Sequence, residues 1–142
     1  MDMQGENKRF KEIWHRIDIH YNRYAKKVGL NFTAMLVLEC LVEAPEFFTQ
    51  KALCEKLVLP KQFINTIITS FWEQGYVELK EAKDRRNKKI HLTEKGKAYA
   101  HSITKPLDDA DQAVWADFSE EESEIFMRAL EKYEQAMARV VG

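Results

Sequence analysis

From Phe10 the apolar residues recur at Ile13, Trp14, Ile17, Tyr21, Tyr24, Ala25 and Val28. Steps of three and four place them on one face of a helix, and Gly29 is the natural residue to end it. A second helix is expected from Phe32 to Ala44, with Asn31 as N-cap and Pro45 just beyond its end. It is apolar on nearly every side, so it belongs at the centre. A third, shorter helix starts at Thr49 and turns Ala52, Leu53 and Leu57 inward. A fourth opens at Pro60, whose missing N–H has no partner in a first turn anyway, and stops at Gly75.

Beyond Gly75 the period changes. Val77 and Leu79 alternate with polar residues, as do Ile90 and Leu92, which predicts two short antiparallel strands. Between them lies a basic tip, residues 82–89. A fifth helix opens after Thr93 with the stripe Tyr99, Ile103, Leu107 and Val114, and a kink or break is expected at Pro106. Ser119 and Glu122 form a capping box for a last helix whose inward residues include Phe126, Leu130, Tyr133 and Met137. The fold expected is mostly α with a small β-hairpin: a winged helix-turn-helix with long N- and C-terminal helices. The apolar stripes of those terminal helices need a partner, and a second copy of the same chain is the simplest one.

Composition narrows the class. The chain has 142 residues, 45% hydrophobic and 32% charged, which suits one globular domain. Neither repeats nor a Gly/Ser linker interrupt residues 1–142. The longest apolar run, Met35 to Leu38, is far too short to span a bilayer. No charged start leads into an apolar stretch, so a cytoplasmic location is expected. Net charge is -1, but it is unevenly spread: +1 over residues 1–44, +4 over 45–97 and -6 over 98–142. A basic middle of this kind suits a polyanionic partner.

The fourth helix carries the most information. At 100° per residue, Phe63, Ile64, Ile67, Ile68 and Phe71 share one side, while Gln62, Asn65, Thr66 and Thr69 share the other, with Lys61 at the start. A helix enters the major groove with one face anchored and the other offering short polar side chains to base edges. The same pattern also describes any amphipathic surface helix. The hairpin decides between the two: Lys83, Arg85, Arg86, Lys88 and Lys89 surround a single acid, Asp84. Such a tip packs poorly against protein but suits phosphates and a narrow minor groove. Double-stranded DNA is therefore the expected partner, read by Lys61, Gln62, Asn65, Thr66, Thr69, Lys83, Asp84, Arg85, Arg86 and Lys88.

The run Asp84-Arg85-Arg86-Asn87-Lys88-Lys89-Ile90-His91-Leu92-Thr93-Glu94-Lys95-Gly96 resembles the wing and following helix start of MarR family regulators, which read Asp-Arg-Arg, a few polar residues, then Leu-Thr-x-Lys-Gly. Leu30 to Leu41, Thr49 to Leu53 and Glu73 to Val77 are similar to that family in order and spacing. The resemblance covers residues 30–97 clearly. It implies that 30–97 form the DNA-binding lobe, and that 1–29 and 98–142 supply dimerisation helices of a triangular homodimer. It further implies recognition helices in successive major grooves of a palindromic operator, with half-sites roughly 34–36 Å apart. Arg86 would reach into a minor groove, steadied by Asp84. The implied role is transcription regulation, as a repressor relieved by a small aromatic ligand. The chain departs from many members at Thr66 and Ser70, where they carry Arg, and at Pro60, where they carry a small residue.

Other chemistry finds less support. Trp14, His15, Tyr21, Phe32 and Met35, where the first two helices meet, are candidates to line an effector pocket, although aromatic residues at helical spacing usually form plain core. Cys40 and Cys54 are candidates for redox sensing, but both sit in apolar helices without an obvious cation to lower a pKa. His91 alternates outward beside the wing and is expected at a phosphate. His15, His20, His91 and His101 fall in no metal-binding pattern, and no cofactor is expected. No nucleophile motif or phosphate-binding Gly loop suggests an enzyme. A winged helix used for protein contacts is the remaining alternative.

Overall fold

The structure is a computed structural model that describes residues 1–80 and 88–142. Its elements run α1 (Met3–Lys27), α2 (Phe32–Glu43), α3 (Gln50–Leu57), α4 (Lys61–Glu73), β1 (Val77–Lys80), β2 (Lys89–Leu92), α5 (Glu94–Trp115) and α6 (Glu120–Val140). The chain divides into two compact units, residues 1–104 and 105–142. No helix among the described residues is long and apolar enough to cross a membrane.

In the first unit the helix ends are written locally. Asn31 Oδ1 accepts from Ala34 N at 2.8 Å and Thr49 Oγ1 from Ala52 N at 3.1 Å, so both residues cap the helices they precede. Gly29 (φ +79°) and Gly75 (φ +80°) take the left-handed conformation that ends α1 and α4. Both ends close as Schellman motifs: Leu30 N donates to Ala25 O at 2.9 Å, and Tyr76 N to Phe71 O at 2.8 Å. Two local expectations shift. Helix α1 begins at Met3, a full two turns before Phe10, because Asp2 caps it by accepting from Gly5 N. Pro60 is the N-cap of α4 rather than its first residue, with an extended backbone (φ -60°, ψ 146°).

Helix α2 is central, burying Ala34, Met35, Val37, Leu38, Cys40 and Leu41. Around it close Leu53 of α3, Ile64, Ile67, Ile68 and Phe71 of α4, Val77 and Ile90 of the hairpin, and Ala100 and Ile103 of α5. Tyr24 Oη donates to Ile103 O at 2.6 Å, tying α1 to α5, and burial pushes its hydroxyl pKa up. Only Ala25 of α1 is fully buried; Ile13, Trp14 and Ile17 remain substantially exposed.

The hairpin is antiparallel in the register Val77↔Leu92, Glu78↔His91, Leu79↔Ile90, Lys80↔Lys89. It has a third contact that local pattern did not announce. Ile90 N donates to Phe48 O at 2.8 Å, and Thr49 bridges to Lys89. The segment before α3 is thereby pinned to β2, on the edge that β1 leaves free.

Helix α5 runs on through Pro106, so of the kink or break expected there the break does not occur. Ile103 and Leu107, one turn apart across the proline, are both buried, and that packing outweighs the missing bond to Ser102. In the second unit Ser119 caps α6 in a full capping box: Glu122 N donates to Ser119 Oγ and Ser119 N to Glu122 Oε1, both at 3.0 Å. Hydrogen bonding to the Glu122 carboxyl, from the Ser119 backbone N–H first and the Ser119 side chain second, holds it below its ordinary pKa. Trp115, Phe118 and Phe126 form a triangle with ring centroids 5.2 to 6.1 Å apart. The expected inward stripe of α6 is present but not covered: the helix has no buried residue, and Phe126, Tyr133 and Met137 are exposed. Val114 of α5 is exposed as well.

Candidate nucleic-acid interface

Helix α4 presents its polar residues outward because four apolar ones anchor it. Ile64, Ile67, Ile68 and Phe71 are each at most 8% exposed, whereas Lys61, Gln62, Asn65, Thr66 and Thr69 are all exposed. No side chain caps its N-terminus, which leaves that end open to an anion. Two of the polar residues are partly committed. Thr66 Oγ1 donates to Gln62 O at 3.0 Å, leaving its lone pairs and methyl for a partner. Asn65 Oδ1 accepts from Gln50 Nε2 of α3 at 3.4 Å, so its amide is steered by the preceding helix. The sequence pattern assigned Phe63 to the anchored side, but its side chain is 62% exposed. It lies at the edge of the stripe, and the four residues behind it already fill the contact.

The C-terminal end of α4 is bolted to the start of α5. Thr93 Oγ1 donates to Gly75 O at 2.6 Å and accepts from Gly96 N at 2.9 Å. Thr93 N donates to Tyr76 O at 3.0 Å, and Lys95 Nζ donates to Gln74 O at 2.9 Å while lying over the Tyr76 ring. Tyr76 and Tyr99 stack face to face at 3.9 Å, and burial pushes the Tyr99 hydroxyl pKa up. These contacts fix the pose of α4 relative to the hairpin that follows it.

Of the wing residues, Lys83, Asp84, Arg85 and Arg86 lie outside the described residues. Lys88 is exposed at the base of the tip, and Lys89 belongs to β2 rather than to the tip. Lys80 and Lys89 stand directly opposite each other on the hairpin. Like charges so placed repel, and an anion relieves them. His91 is not the outward group that alternation suggested. Its side chain is only 15% exposed, with Nδ1 3.8 Å from Glu46 Oε1. It lines a cleft of about 540 Å³ with Leu41, Pro45, Lys80, Lys97 and His101.

The effector candidates are only partly brought together. Tyr21 and Phe32 meet with centroids 5.8 Å apart, whereas Met35 is fully buried core and Trp14 and His15 are exposed on α1. The cleft just described is lined by none of them. Cys40 is buried and Cys54 half-buried. A cation does act on Cys40, contrary to the sequence reading: Lys56 pulls its pKa down, but burial pushes it up more strongly, aided by Glu43 and Glu39. Among the described residues no three His, Cys, Asp or Glu side chains are grouped as metal ligands.

Comparison with known proteins agrees with this architecture. Residues 28–87 match the model of the MarR family. The chain is 30% identical over 116 residues to the HTH-type transcriptional regulator SarZ of Staphylococcus epidermidis, across 80% of this chain and 75% of that protein. It is similar to a MarR family regulator of Neisseria meningitidis at 30% identity and TM-score 0.71, across 94% of this chain and 96% of that one. In fold it also matches FabT of Streptococcus pneumoniae, solved in complex with DNA, at 20% identity and TM-score 0.75, across 98% of this chain and 99% of that one. The chain therefore belongs to the MarR family of DNA-binding transcriptional regulators.

Proposed function

We propose that this regulator is a cytoplasmic homodimeric repressor that binds a palindromic operator in duplex DNA and is released by a small aromatic effector. The observation that carries the DNA half is the division of α4 into a buried face of Ile64, Ile67, Ile68 and Phe71 and an exposed face of Gln62, Asn65, Thr66 and Thr69. In this reading Gln62, Asn65, Thr66 and Thr69 meet base edges and Lys61 a phosphate, while Lys83, Arg85 and Lys88 hold the backbone beside the major-groove contacts. Arg86 enters the minor groove with Asp84 steadying it. FabT, similar in fold, is seen on DNA, so the same architecture accommodates a duplex.

Dimerisation through residues 1–29 and 98–142 is supported by what the single chain leaves uncovered. Ile13, Trp14 and Ile17 on α1, and Ile125, Phe126, Met127, Tyr133 and Met137 on α6, are all exposed. Apolar stripes of that extent are costly in water and typical of subunit interfaces. For the effector, Tyr21 and Phe32 are the pair to which an aromatic ring would add, with Trp14, His15 and Met35 completing the candidate set.

The test of the DNA reading is a duplex selected from a random pool. Arg86→Ala is expected to weaken binding to it by about tenfold or more, without loss of helix content or dimer. Replacing Lys88 by Gln is expected to lower the slope of log K against log salt by up to about one unit. Unaltered binding by Arg86→Ala would remove the wing assignment. No binding to any duplex at low salt, with a protein partner instead, would favour a protein-interaction winged helix.

A further inference from the structure

Phe63 is the third residue of α4 and stands on its first turn, between Gln62 and the anchoring Ile64. A phenylalanine that is 62% exposed on an otherwise well-anchored helix loses the benefit of burial, and it makes no aromatic pair among the described residues. The core does not need it, since Ile64, Ile67, Ile68 and Phe71 already close the contact behind it. Thr66 is its neighbour one turn on, with its hydroxyl proton committed to Gln62 O. The first turns of α4 therefore offer an exposed ring on the side of the methyl-bearing Thr66 side chain.

Within the DNA-binding reading of α4, on which this step rests, an exposed ring at the leading end of a recognition helix has one matching feature on a base edge. That feature is the C5-methyl of thymine, which projects into the major groove and is otherwise wetted. We infer that Phe63 is a specificity-determining residue that selects thymine in each half-site by packing its ring against that methyl. Hydrogen bonding from Gln62 and Asn65 then reads the neighbouring bases. A ring makes no hydrogen bond, so its discrimination rests on the methyl alone.

The test uses the full-length protein and a duplex obtained by selection from a random pool. Each thymine of a half-site is replaced in turn by deoxyuridine, which removes only the methyl and keeps the pairing. For the wild-type protein one or two positions are expected to lose about fourfold in affinity, the value of one buried methyl-sized group. Phe63→Ala is expected to bind thymine and uracil equally at those positions, and Phe63→Leu to retain part of the preference. Because the side chain is exposed, circular dichroism and melting temperature are expected to stay at their wild-type values, which separates recognition from folding. The inference is overturned if Phe63→Ala keeps the wild-type thymine-to-uracil ratio at every position while binding the duplex. If the wild-type protein selects no duplex at all, the DNA-binding assignment of α4 falls first and this inference with it.

Discussion

Gly96→Ala is the sharpest perturbation available at the joint between α4 and α5. A Cβ built at Gly96 would overlap the carbonyl oxygen of Tyr76 and sit 2.7 Å from its carbonyl carbon, against backbone rather than a movable side-chain end. Ordinary contact begins near 3.4 Å, so α5 or the start of β1 must withdraw. Withdrawal strains three hydrogen bonds that cross the joint: Thr93 N to Tyr76 O, Thr93 Oγ1 to Gly75 O and Lys95 Nζ to Gln74 O. At about 1 kcal/mol each they sum to about 3 kcal/mol. The Tyr76–Tyr99 stack adds about 1 kcal/mol, and the better helix propensity of alanine returns about 1 kcal/mol. The net cost is about 3 kcal/mol, or a drop of roughly 10 °C in melting temperature for a chain of this size. Gly29→Ala is the control. Gly29 has φ +79° with nothing within 4 Å of the added Cβ, so only the left-handed backbone penalty of about 1 kcal/mol applies. Urea unfolding of the three proteins at one fixed protein concentration reads both values. If Gly96→Ala lies within 1 kcal/mol of wild type, or Gly29→Ala proves the more damaging, the close approach does not hold the joint.

Other substitutions address single interactions. Val58 is a β-branched residue in the left-handed region (φ 53°, ψ 54°) and 86% exposed, so Val58→Asn is expected to raise stability by about 1 kcal/mol, seen as a higher urea midpoint. Tyr24→Phe removes the donor to Ile103 O and is expected to cost about 1 kcal/mol in the same assay. Glu122 has a folded-state pKa below its unfolded value, so its contribution is present above the unfolded pKa and lost as pH falls through the folded one. Glu122→Gln, which keeps the shape but not the charge, is accordingly expected to lower the melting temperature near neutral pH and to lose its effect in acid. Burial raises the Cys40 pKa, so alkylation of the native protein near neutral pH is expected at Cys54 before Cys40, with peptide mapping as the readout.

The fold was legible where the decisive interaction is local. Asn31, Thr49 and Ser119 act within three residues of themselves, and Gly29 and Gly75 end helices by a backbone conformation that sequence can announce. It was less legible where the partner is remote. Phe48 pairs with Ile90 through backbone atoms alone, and nothing in the run Phe47-Phe48-Thr49 marks a strand. His91 was placed outward by alternation, yet Glu46 reaches it from a turn 45 positions earlier in the chain. Pro106 does not break α5: one missing hydrogen bond is outweighed when the residues on either side, Ile103 and Leu107, are both buried.

The recognition face of α4 shows how far periodicity carries and where it stops. A helical wheel separates residues near the centre of the buried arc from those opposite it, and Ile64, Ile67, Ile68 and Phe71 fall as drawn. Phe63 lies roughly 90° from the centre of that arc, on the boundary that a 100° step leaves undecided. Hydrophobicity then tips the assignment inward, because a scale of transfer energies counts the ring and not the space available to it. Space decides otherwise, since four large side chains already occupy the groove between α4 and the core. What the sequence pattern counted as a fifth anchor is thus a ring delivered to solvent at the edge of the polar face, beside Thr66. There it has value only if a partner covers it, which makes the thymine-to-uracil ratio of Phe63→Ala the measurement that separates a reader of bases from a merely tolerated surface residue.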